Sequence, residues 1–200
     1  MTDALTTPRL LLRRWRPSDR EPFRDLNADL RVMEFFPSAL TASDSDALAD
    51  RIETHFIKHG FGAFAAELRS TSAFIGFIGL AIPDFDAAFL RPPSTQADAH
   101  HPQVVEPQPQ VVEIGWRLAF PVWGQGLATE GARAVARYAF ETLNFPSLVS
   151  FTVPANLRSR RVMEKIGMVR DSSADFLHPN LPEGHTLRPH VLYRLSYEPE

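Results

Sequence analysis

Short apolar runs bounded by turn residues predict a series of β-strands. The first run is apolar at its centre and ends before Pro17, which is typical of a short strand. Two later runs are separated only by the polar turn 69–72, so they predict an antiparallel hairpin. The predicted strands cover residues 9–15, 61–68, 73–82, 111–120, 147–153, 168–171 and 187–197.

Apolar positions that recur every three or four residues predict helices between these strands. In one segment an apolar residue recurs every four positions from 48 to 56, with Ser43 or Asp44 as the expected N-cap. Ser18 and Glu21 have the spacing of a capping box at the start of an earlier helix. The predicted helices cover residues 18–29, 30–36, 43–60, 127–143 and 156–167.

Residues 83–110 differ from the rest of the chain, because prolines cluster there among glutamine, aspartate, alanine and histidine. This composition predicts a long, mostly irregular insertion, with Phe85, Phe89 and Leu90 as candidates to anchor its start. Outside the insertion the order of strands and helices predicts a mixed α/β layer architecture. A length of 200 residues fits one domain, so we expect residues 1–200 to form a single domain with a loop insertion.

The composition is that of an ordinary globular protein, with 44% hydrophobic and 22% charged residues. The absence of cysteine excludes disulfides, thiolate metal sites and a cysteine nucleophile. A formal net charge of -3 gives no reason to expect nucleic acid or an anionic membrane as a partner. No apolar run approaches the roughly 18 residues of a membrane span, and the N-terminus does not resemble a signal peptide. We therefore expect a cytoplasmic protein.

A glycine-rich turn, Gly124-Gln125-Gly126, lies between a predicted strand and the predicted helix 127–143. The first turn of a helix has N–H groups without internal partners, and with the helix dipole they favour an anion such as a pyrophosphate. Glycines let that anion approach the backbone closely. The turn lacks the Gly-Lys-Ser/Thr of a P-loop and the third glycine of a dinucleotide fingerprint. A tight turn that binds nothing is the alternative.

Four segments carry a resemblance to a known family. They are TPRLLLRRW at 7–15, VEIGW at 112–116, WGQGLATE at 123–130 and NLRSRRVMEKIGM at 156–168. In this order and spacing they resemble the GNAT acetyltransferase superfamily. Within it they are most similar to the branch that includes bacterial ribosomal-protein N-terminal alanine acetyltransferases. The resemblance covers nearly the whole chain outside the predicted insertion.

The resemblance implies a fold. We expect a central, mostly antiparallel sheet of about seven strands, flanked by about four helices. Strands four and five of this sheet, residues 111–120 and 147–153, are expected to splay apart, with the pantetheine arm of acetyl-CoA between them. Gly115 in strand four is then expected to mark a bulge at that point.

The resemblance also implies where acetyl-CoA binds. The expected backbone donors to its pyrophosphate are Gln125, Gly126, Leu127, Ala128 and Thr129. Trp123 stands where the family has Arg or Gln, so one side-chain contact to phosphate is missing while the backbone site is kept. On strand four the expected cofactor contacts come from Trp116, Arg117 and Leu118, with an amide near Trp116 or Arg117 polarising the thioester carbonyl.

Two residues of the predicted helix 156–167 complete the implied cofactor site. Asn156 matches the family asparagine that contacts the cofactor arm, and it also suits a helix N-cap with Ser159 at N3. Ser159 resembles a serine that the ribosomal-protein branch uses near the sulfur, where a hydrogen bond is more credible than full protonation. A first-turn serine with a local role is the alternative. Met163 replaces the tyrosine acid of many relatives and cannot donate a proton.

Glu113 is the candidate general base, because it lies two residues before Gly115 and on the same face of the predicted strand. Direct transfer needs a neutral amine, and an α-amine titrates near about 8, against about 10.4 for lysine. That difference is worth roughly 3 kcal/mol, so an α-amine needs only a modest base. The alternative is a structural carboxylate paired with an arginine.

The segment 178–190 contains three histidines: His178, His185 and His190. Their spacing is not that of a metal site, so we expect no metal ion. A place at the rim of the acceptor site suits them better, and one of them is a second candidate for the base.

These features together predict an N-acetyltransferase that transfers an acetyl group from acetyl-CoA to a primary amine. A protein N-terminal α-amine is the first candidate acceptor, and a small-molecule amine such as an antibiotic or a polyamine is the alternative. A non-catalytic sensor that binds acyl-CoA is a further alternative. We expect a monomer or homodimer without nucleic-acid or membrane partners.

Overall fold

A computed structural model describes residues 4–90 and 111–197 and forms an open, mixed α/β fold around one sheet. The strands are β1 (Ala4–Thr6), β2 (Leu10–Arg13), β3 (Ala63–Leu68), β4 (Phe74–Ala81), β5 (Glu113–Leu118), β6 (Ser147–Thr152), β7 (Val169–Arg170), β8 (Phe176–Leu177) and β9 (Pro189–Ser196). The α-helices of this part of the chain are α1 (Arg20–Ala28), α2 (Ala42–His59), α3 (Leu127–Glu141) and α4 (Leu157–Lys165). None of these helices is long and apolar enough to span a membrane.

The sheet is mostly antiparallel, as predicted, and its order is β1-β2-β3-β4-β5-β6-β9-β7, with β8 beside β9. All neighbouring strands run antiparallel except β5 and β6, which are parallel. Residues 4–90 and 111–197 form nine strands, where the sequence predicted about seven. The additional strands β1 and β8 have only three and two residues, too few for an apolar alternation to be recognised.

The segment after α1 does not form the short helix predicted for residues 30–36 but a series of turns. The backbone N–H groups of Val32 and Met33 both donate to the Asp29 carbonyl, at 3.0 Å each. The Asp29 carboxylate also accepts from the backbone and the side chain of Arg31. Such local side-chain bonds compete with helix formation, and Pro37 prevents the segment from continuing.

Two predicted helix starts were also displaced. α1 follows a 3₁₀ turn, Pro17–Asp19, in which the Asp19 carboxylate accepts from the Arg16 backbone at 2.7 Å, so Ser18 is not the cap. α2 is capped by Thr41, whose hydroxyl accepts from Asp44 N at 3.1 Å. Of these two helices, only α2 has a side-chain cap at its first free N–H groups, because no side chain accepts from those of α1. Several polar residues in succession made the choice of cap ambiguous.

Helices cover both faces of the central strands. Adjacent residues of a strand point to opposite faces. On β4, the Ile78 side chain lies against α3, where a Cβ on Gly131 would approach it to 2.3 Å. Phe77 points the other way and contacts Phe23 of α1, with ring centroids 6.1 Å apart. Full burial of a side chain such as Ile78 or Phe23 contributes roughly 1.5–3 kcal/mol.

The predicted splay lies between β5 and β6. The two strands pair only at Glu113 and Val149, where Val149 N donates to the Val112 carbonyl at 2.9 Å. The predicted bulge at Gly115 is wrong, because the register between β4 and β5 runs without a break from Gly76–Leu118 to Ala81–Glu113. The gap therefore opens where pairing with β6 ends, and needs no extra residue in β5.

Most of the predicted insertion, residues 91–110, lies outside the described part of the chain. The residues before it are anchored as expected. Phe85 and Phe89 pack against Phe151 of β6 and Phe176 of β8, with ring centroids between 4.9 and 5.9 Å apart.

Candidate active site

A cavity of about 760 Å³ occupies the gap between β5 and β6 and extends below the turns at 32–37. It brings together residues that are far apart in the sequence. The predicted site residues that line it are Glu113, Trp116, Arg117, Leu118, Gly126, Leu127, Ala128, Thr129, Asn156 and Ser159. Gln125 is the predicted site residue that is not part of this lining.

The glycine turn ends in the N-terminus of α3. Gly124 and Gly126 have φ angles of 74° and 77°, in the left-handed region that favours glycine, and Gly126 is the N-cap. The next three N–H groups, of Leu127, Ala128 and Thr129, have no partner within the helix. These N–H groups lie at the wall of the cavity, and neither glycine has a Cβ that would block access to them. The turn therefore has the geometry of an anion site.

Side-chain hydrogen bonds hold this turn in place. Trp123 donates from Nε1 to the Leu118 carbonyl at 2.8 Å, which ties the turn to the end of β5. Arg9 donates from Nη1 to the Gln125 carbonyl at 2.8 Å and from Nε to Glu130 at 2.6 Å. The Gln125 side chain donates to the carbonyl of Pro121, away from the cavity. Gln125 thus braces the turn, and its predicted backbone contact stays a prediction.

Glu113 lies on β5, which forms the floor of the cavity, and its side chain points into the cavity. It shares a face with Gly115, and a Cβ built on Gly115 would lie 3.7 Å from Glu113 Oε1. Within residues 4–90 and 111–197 the carboxylate has no ion pair or hydrogen bond, so the arginine pairing considered from the sequence is not observed there. Burial raises the pKa of Glu113 to about 8. A carboxyl group with such a pKa is a stronger proton acceptor when ionised than an exposed one.

Arg117 lies on the same face as Glu113, four residues further along β5. Its Nη1 donates to Asn27 Oδ1 at 2.6 Å, and its guanidinium lies over the rings of Phe36, at 4.1 Å, and Phe77, at 5.5 Å. Burial lowers the pKa of Arg117 to about 10, so the group is still charged at neutral pH. Only the backbone of Arg117 was predicted to be functional, although the period-two spacing from Glu113 was a signal for its side chain.

The backbone of β5 has amides that face the gap without a partner on β6. Because Val112 C=O faces β6, alternation directs the backbone groups of Ile114 and Trp116 to the same side. Pairing with β6 does not extend beyond Glu113, so the Trp116 N–H faces the open gap. The corresponding groups of Arg117 face β4. Of the two amides considered for the thioester carbonyl, the geometry therefore favours Trp116.

The first turn of α4 forms the opposite wall. Asn156 is its N-cap, as predicted, and the side-chain oxygen accepts from Ser159 N at 3.1 Å. The Asn156 amide also donates to Thr152 Oγ1 at 3.1 Å, which fixes its orientation. Ser159 is half-buried beside the cavity. Met163 is buried in the core with 1% exposure and does not line the cavity, so its position has no access to a leaving group.

Two of the three loop histidines reach the cavity. His178 and His190 line it, with ring centroids 5.1 Å apart, whereas His185 does not. Burial lowers the pKa of both lining histidines. His190 Nδ1 lies 3.1 Å from the Arg188 carbonyl, which only accepts, so Nδ1 donates and Nε2 is the basic nitrogen. The described residues hold no cluster of three or more His, Cys, Asp or Glu side chains suited to a metal ion.

The turns at 32–37 cover the cavity on the side of α1, a contribution that the sequence did not indicate. An ion pair between Glu34 and Arg158 fastens these turns to α4. The Arg158 guanidinium also lies 4.7 Å from the Trp123 ring. Phe35 and Phe36 consequently form part of the lining.

A family model described as an acetyltransferase (GNAT) domain matches residues 9–169. The chain belongs to the GNAT acetyltransferase family. The chain is 27% identical to the uncharacterized N-acetyltransferase YnaD of Bacillus subtilis over 182 residues. These matched residues make up 90% of this chain and 89% of YnaD. The crystal structure of an acetyltransferase from Agrobacterium tumefaciens is similar, with 27% sequence identity and a TM-score of 0.71. The superposition covers 98% of this chain and 96% of the Agrobacterium chain.

Similarity to ribosomal-protein acetyltransferases is structural. A putative ribosomal-protein-serine acetyltransferase from Vibrio cholerae superposes with a TM-score of 0.72, covering 98% of this chain and 100% of that one. At 15% identity this likeness shows the shared fold alone. GNAT proteins use acetyl-CoA as co-substrate, and the free amides at the start of α3 suit its pyrophosphate.

Proposed function

We propose that this protein transfers an acetyl group from acetyl-CoA to a primary amine by direct attack within a ternary complex. One observation carries the proposal. The unpaired carboxyl group of Glu113 lines the same cavity as the free amides at the N-terminus of α3. A proton acceptor and an anion site thus line one cavity.

The cofactor half of the site extends from the glycine turn to the gap. The amides from Gly126 to Thr129 bind the pyrophosphate, and the pantetheine arm lies between β5 and β6. Arg161 and Lys165 lie one turn apart on α4 and line the cavity, so they add positive charge near the phosphates. The Asn156 side chain contacts the arm, and the Trp116 amide donates to the thioester carbonyl.

The reaction uses Glu113 as the base. Its carboxylate accepts a proton from the ammonium form of the acceptor, directly or through a water, and the nitrogen lone pair attacks the thioester carbon. A C–N bond forms and the C–S bond breaks. The negative charge that develops on the carbonyl oxygen is stabilised by the Trp116 N–H. His190 Nε2 is the second candidate for the base, because it also lines the cavity.

The departing thiolate takes up a proton from solvent or the proton that the attacking nitrogen loses as the amide forms. Ser159 lines the cavity, and its hydroxyl donates a hydrogen bond to the leaving sulfur. A hydrogen bond is sufficient, because a thiol ionises far more readily than an alcohol.

The acceptor of first choice is a protein N-terminal α-amine, as in the ribosomal-protein branch, and the reaction takes place in the cytoplasm. A small-molecule amine is the second choice. The buried Met163 favours one further candidate, a non-catalytic sensor of acyl-CoA, because the tyrosine acid of many relatives is absent.

Two measurements test the proposal. Isothermal titration with acetyl-CoA measures binding, and micromolar or tighter affinity is expected. Release of CoA thiol is then followed across a panel of N-terminal peptides and small amines. Binding without acceptor-dependent release would support the sensor, whereas the absence of binding would contradict the assignment of the glycine turn.

A further inference from the structure

Arg117 is a half-buried arginine without a carboxylate partner in the described chain. Its Nε atom is buried and makes no hydrogen bond, and the bond that its guanidinium forms with another described residue is to the neutral amide oxygen of Asn27. Arg13 provides the contrast. It is 6% exposed and pairs with Asp19 and Glu67 at 2.7 Å each. Among the described residues, the guanidinium of Arg13 is therefore paired with carboxylates, whereas that of Arg117 has no counter-ion.

A guanidinium without a counter-ion in a partly buried site favours the binding of an anion beside it. A guanidinium has five N–H donors in one plane, and that of Arg117 has most of them available. The rings of Phe36 and Phe77 fix the orientation of this plane. Such a fixed plane suits two parallel hydrogen bonds to a carboxylate or a phosphate.

The position of Arg117 separates it from the expected phosphate sites of CoA. Its side chain lies on the face of β5 that α1 and the turns at 32–37 cover, whereas the glycine turn and α3 lie at the end and on the opposite face of the strand. Glu113 lies on the same face as Arg117. An anion bound by Arg117 is therefore part of the acceptor side of the cavity.

We propose that the Arg117 guanidinium binds an oxyanion of the acceptor, so that the enzyme prefers primary amines that carry a carboxylate or a phosphate. This inference rests on the proposed function, because it assigns the acceptor of the same reaction. The Cα atoms of Glu113 and Arg117 are about 13 Å apart along the strand. An acceptor that contacts both side chains must therefore have several bonds between its amine and its anion. Peptides with an acidic residue near the N-terminus and ω-amino acids both meet this requirement.

The test compares matched amines by their kcat/KM for acetyl transfer. ω-Amino acids of increasing length are each paired with their neutral carboxamide, and phosphoethanolamine is paired with ethanolamine. We expect each preferred acid to exceed its carboxamide by about tenfold or more, the effect of one charge-assisted contact. Comparison of the carboxylate pairs with the phosphate pair shows which oxyanion the site binds. Equal rates for all charged and neutral partners would overturn the proposal.

Variants locate the preference. Arg117→Gln should reduce the ratio of acid to carboxamide to near one, and Arg117→Lys should retain part of it. Arg31→Gln is the matched control. It removes an arginine that also lies over a phenylalanine ring, at 3.9 Å from Phe120, but is 60% exposed and outside the cavity lining. Its ratio should equal that of the wild type. An unchanged ratio in a folded Arg117→Gln protein would contradict the assignment.

The proposed function and the role of Arg117 are tested separately. If no amine accelerates CoA release although acetyl-CoA binds, the proposed function is wrong. If neutral carboxamides react as fast as the acids, only the role of Arg117 is wrong. The comparison in the wild-type protein needs no variant, so it decides the question even if Arg117→Gln does not fold.

Discussion

Gly79 and Gly115 are paired across β4 and β5, yet only Gly115 has room for a side chain. A Cβ on Gly79 would lie 2.3 Å from Ala63 Cα, because β3 passes close beneath it. A Cβ on Gly115 would meet only Glu113 Oε1, at 3.7 Å. Gly79 is therefore required by packing, whereas Gly115 keeps the floor of the cavity open between Glu113 and Arg117.

Alanine at the two positions should affect different properties, stability at Gly79 and activity at Gly115. Gly79→Ala is expected to lower the free energy of unfolding by about 1–3 kcal/mol, the usual effect of overpacking. Gly115→Ala should leave stability unchanged but lower kcat/KM for the acceptor, since the methyl group occupies space beside the base. Urea denaturation and steady-state kinetics on both variants measure this. Full activity in Gly115→Ala would indicate that acceptors do not pass over this strand.

Removal of the Glu113 carboxylate should slow acetyl transfer without loss of acetyl-CoA binding. Glu113→Gln keeps the size of the side chain and removes the proton acceptor, so we expect kcat to fall by about 10²–10⁴. Titration with acetyl-CoA is the control and should give an affinity close to that of the wild type. His190→Phe provides the comparison, because it removes the second candidate base. A larger loss in His190→Phe than in Glu113→Gln would assign the proton transfer to the histidine.

The raised pKa of Glu113 also predicts a pH dependence of stability. The carboxyl group ionises near 4.5 in the unfolded chain and at about 8 in the folded protein. Between these values the folded state binds a proton that the unfolded state has lost, so stability falls as pH rises, by roughly 1.4 kcal/mol for each pH unit. This loss is absent below pH 4.5 and complete above about pH 8.

Glu113→Gln isolates this effect from that of other groups that titrate in the same range. The free energy of unfolding, measured with urea at several pH values between the two limits, should fall less steeply in the variant than in the wild type. The variant should accordingly be the more stable protein at the alkaline end of the range. Parallel curves would show that the carboxyl group is hydrated and that its pKa is ordinary.

The elements that the sequence predicted correctly depend on local signals. The α3 helix has an apolar stripe and a glycine N-cap, and the cap of α4 joins Asn156 to Ser159 only three residues later. The segment after α1 was mispredicted because the carboxylate of Asp29 accepts from three donors of Arg31, its backbone N–H, Nε and Nη2. Local bonds of this kind compete with a weak helical pattern.

The missed features depend on contacts between distant parts of the chain. Arg117 bonds to Asn27 across 90 positions of sequence, and Glu34 pairs with Arg158 across 124. No periodicity within β5 indicates that Phe36 will cover the Arg117 guanidinium. Gly115 was expected to form a bulge, because a glycine in a strand indicates either a bulge or a close backbone approach, and only the neighbouring strands decide between them.

The glycine turn gives the sharpest test of the cofactor site, because the chain contains a matched glycine elsewhere. Gly126 and Gly60 both have a φ of 77°, and Gly60 ends α2 with no atom within 4 Å of its missing Cβ. Valine at either position is strained by about 1–3 kcal/mol, so both variants should lose similar stability. Only Gly126→Val places a branched side chain at the proposed pyrophosphate site. Its affinity for acetyl-CoA should fall by about tenfold or more, while Gly60→Val binds like the wild type. Equal affinities in the two variants would mean that the α3 N-terminus does not hold the pyrophosphate.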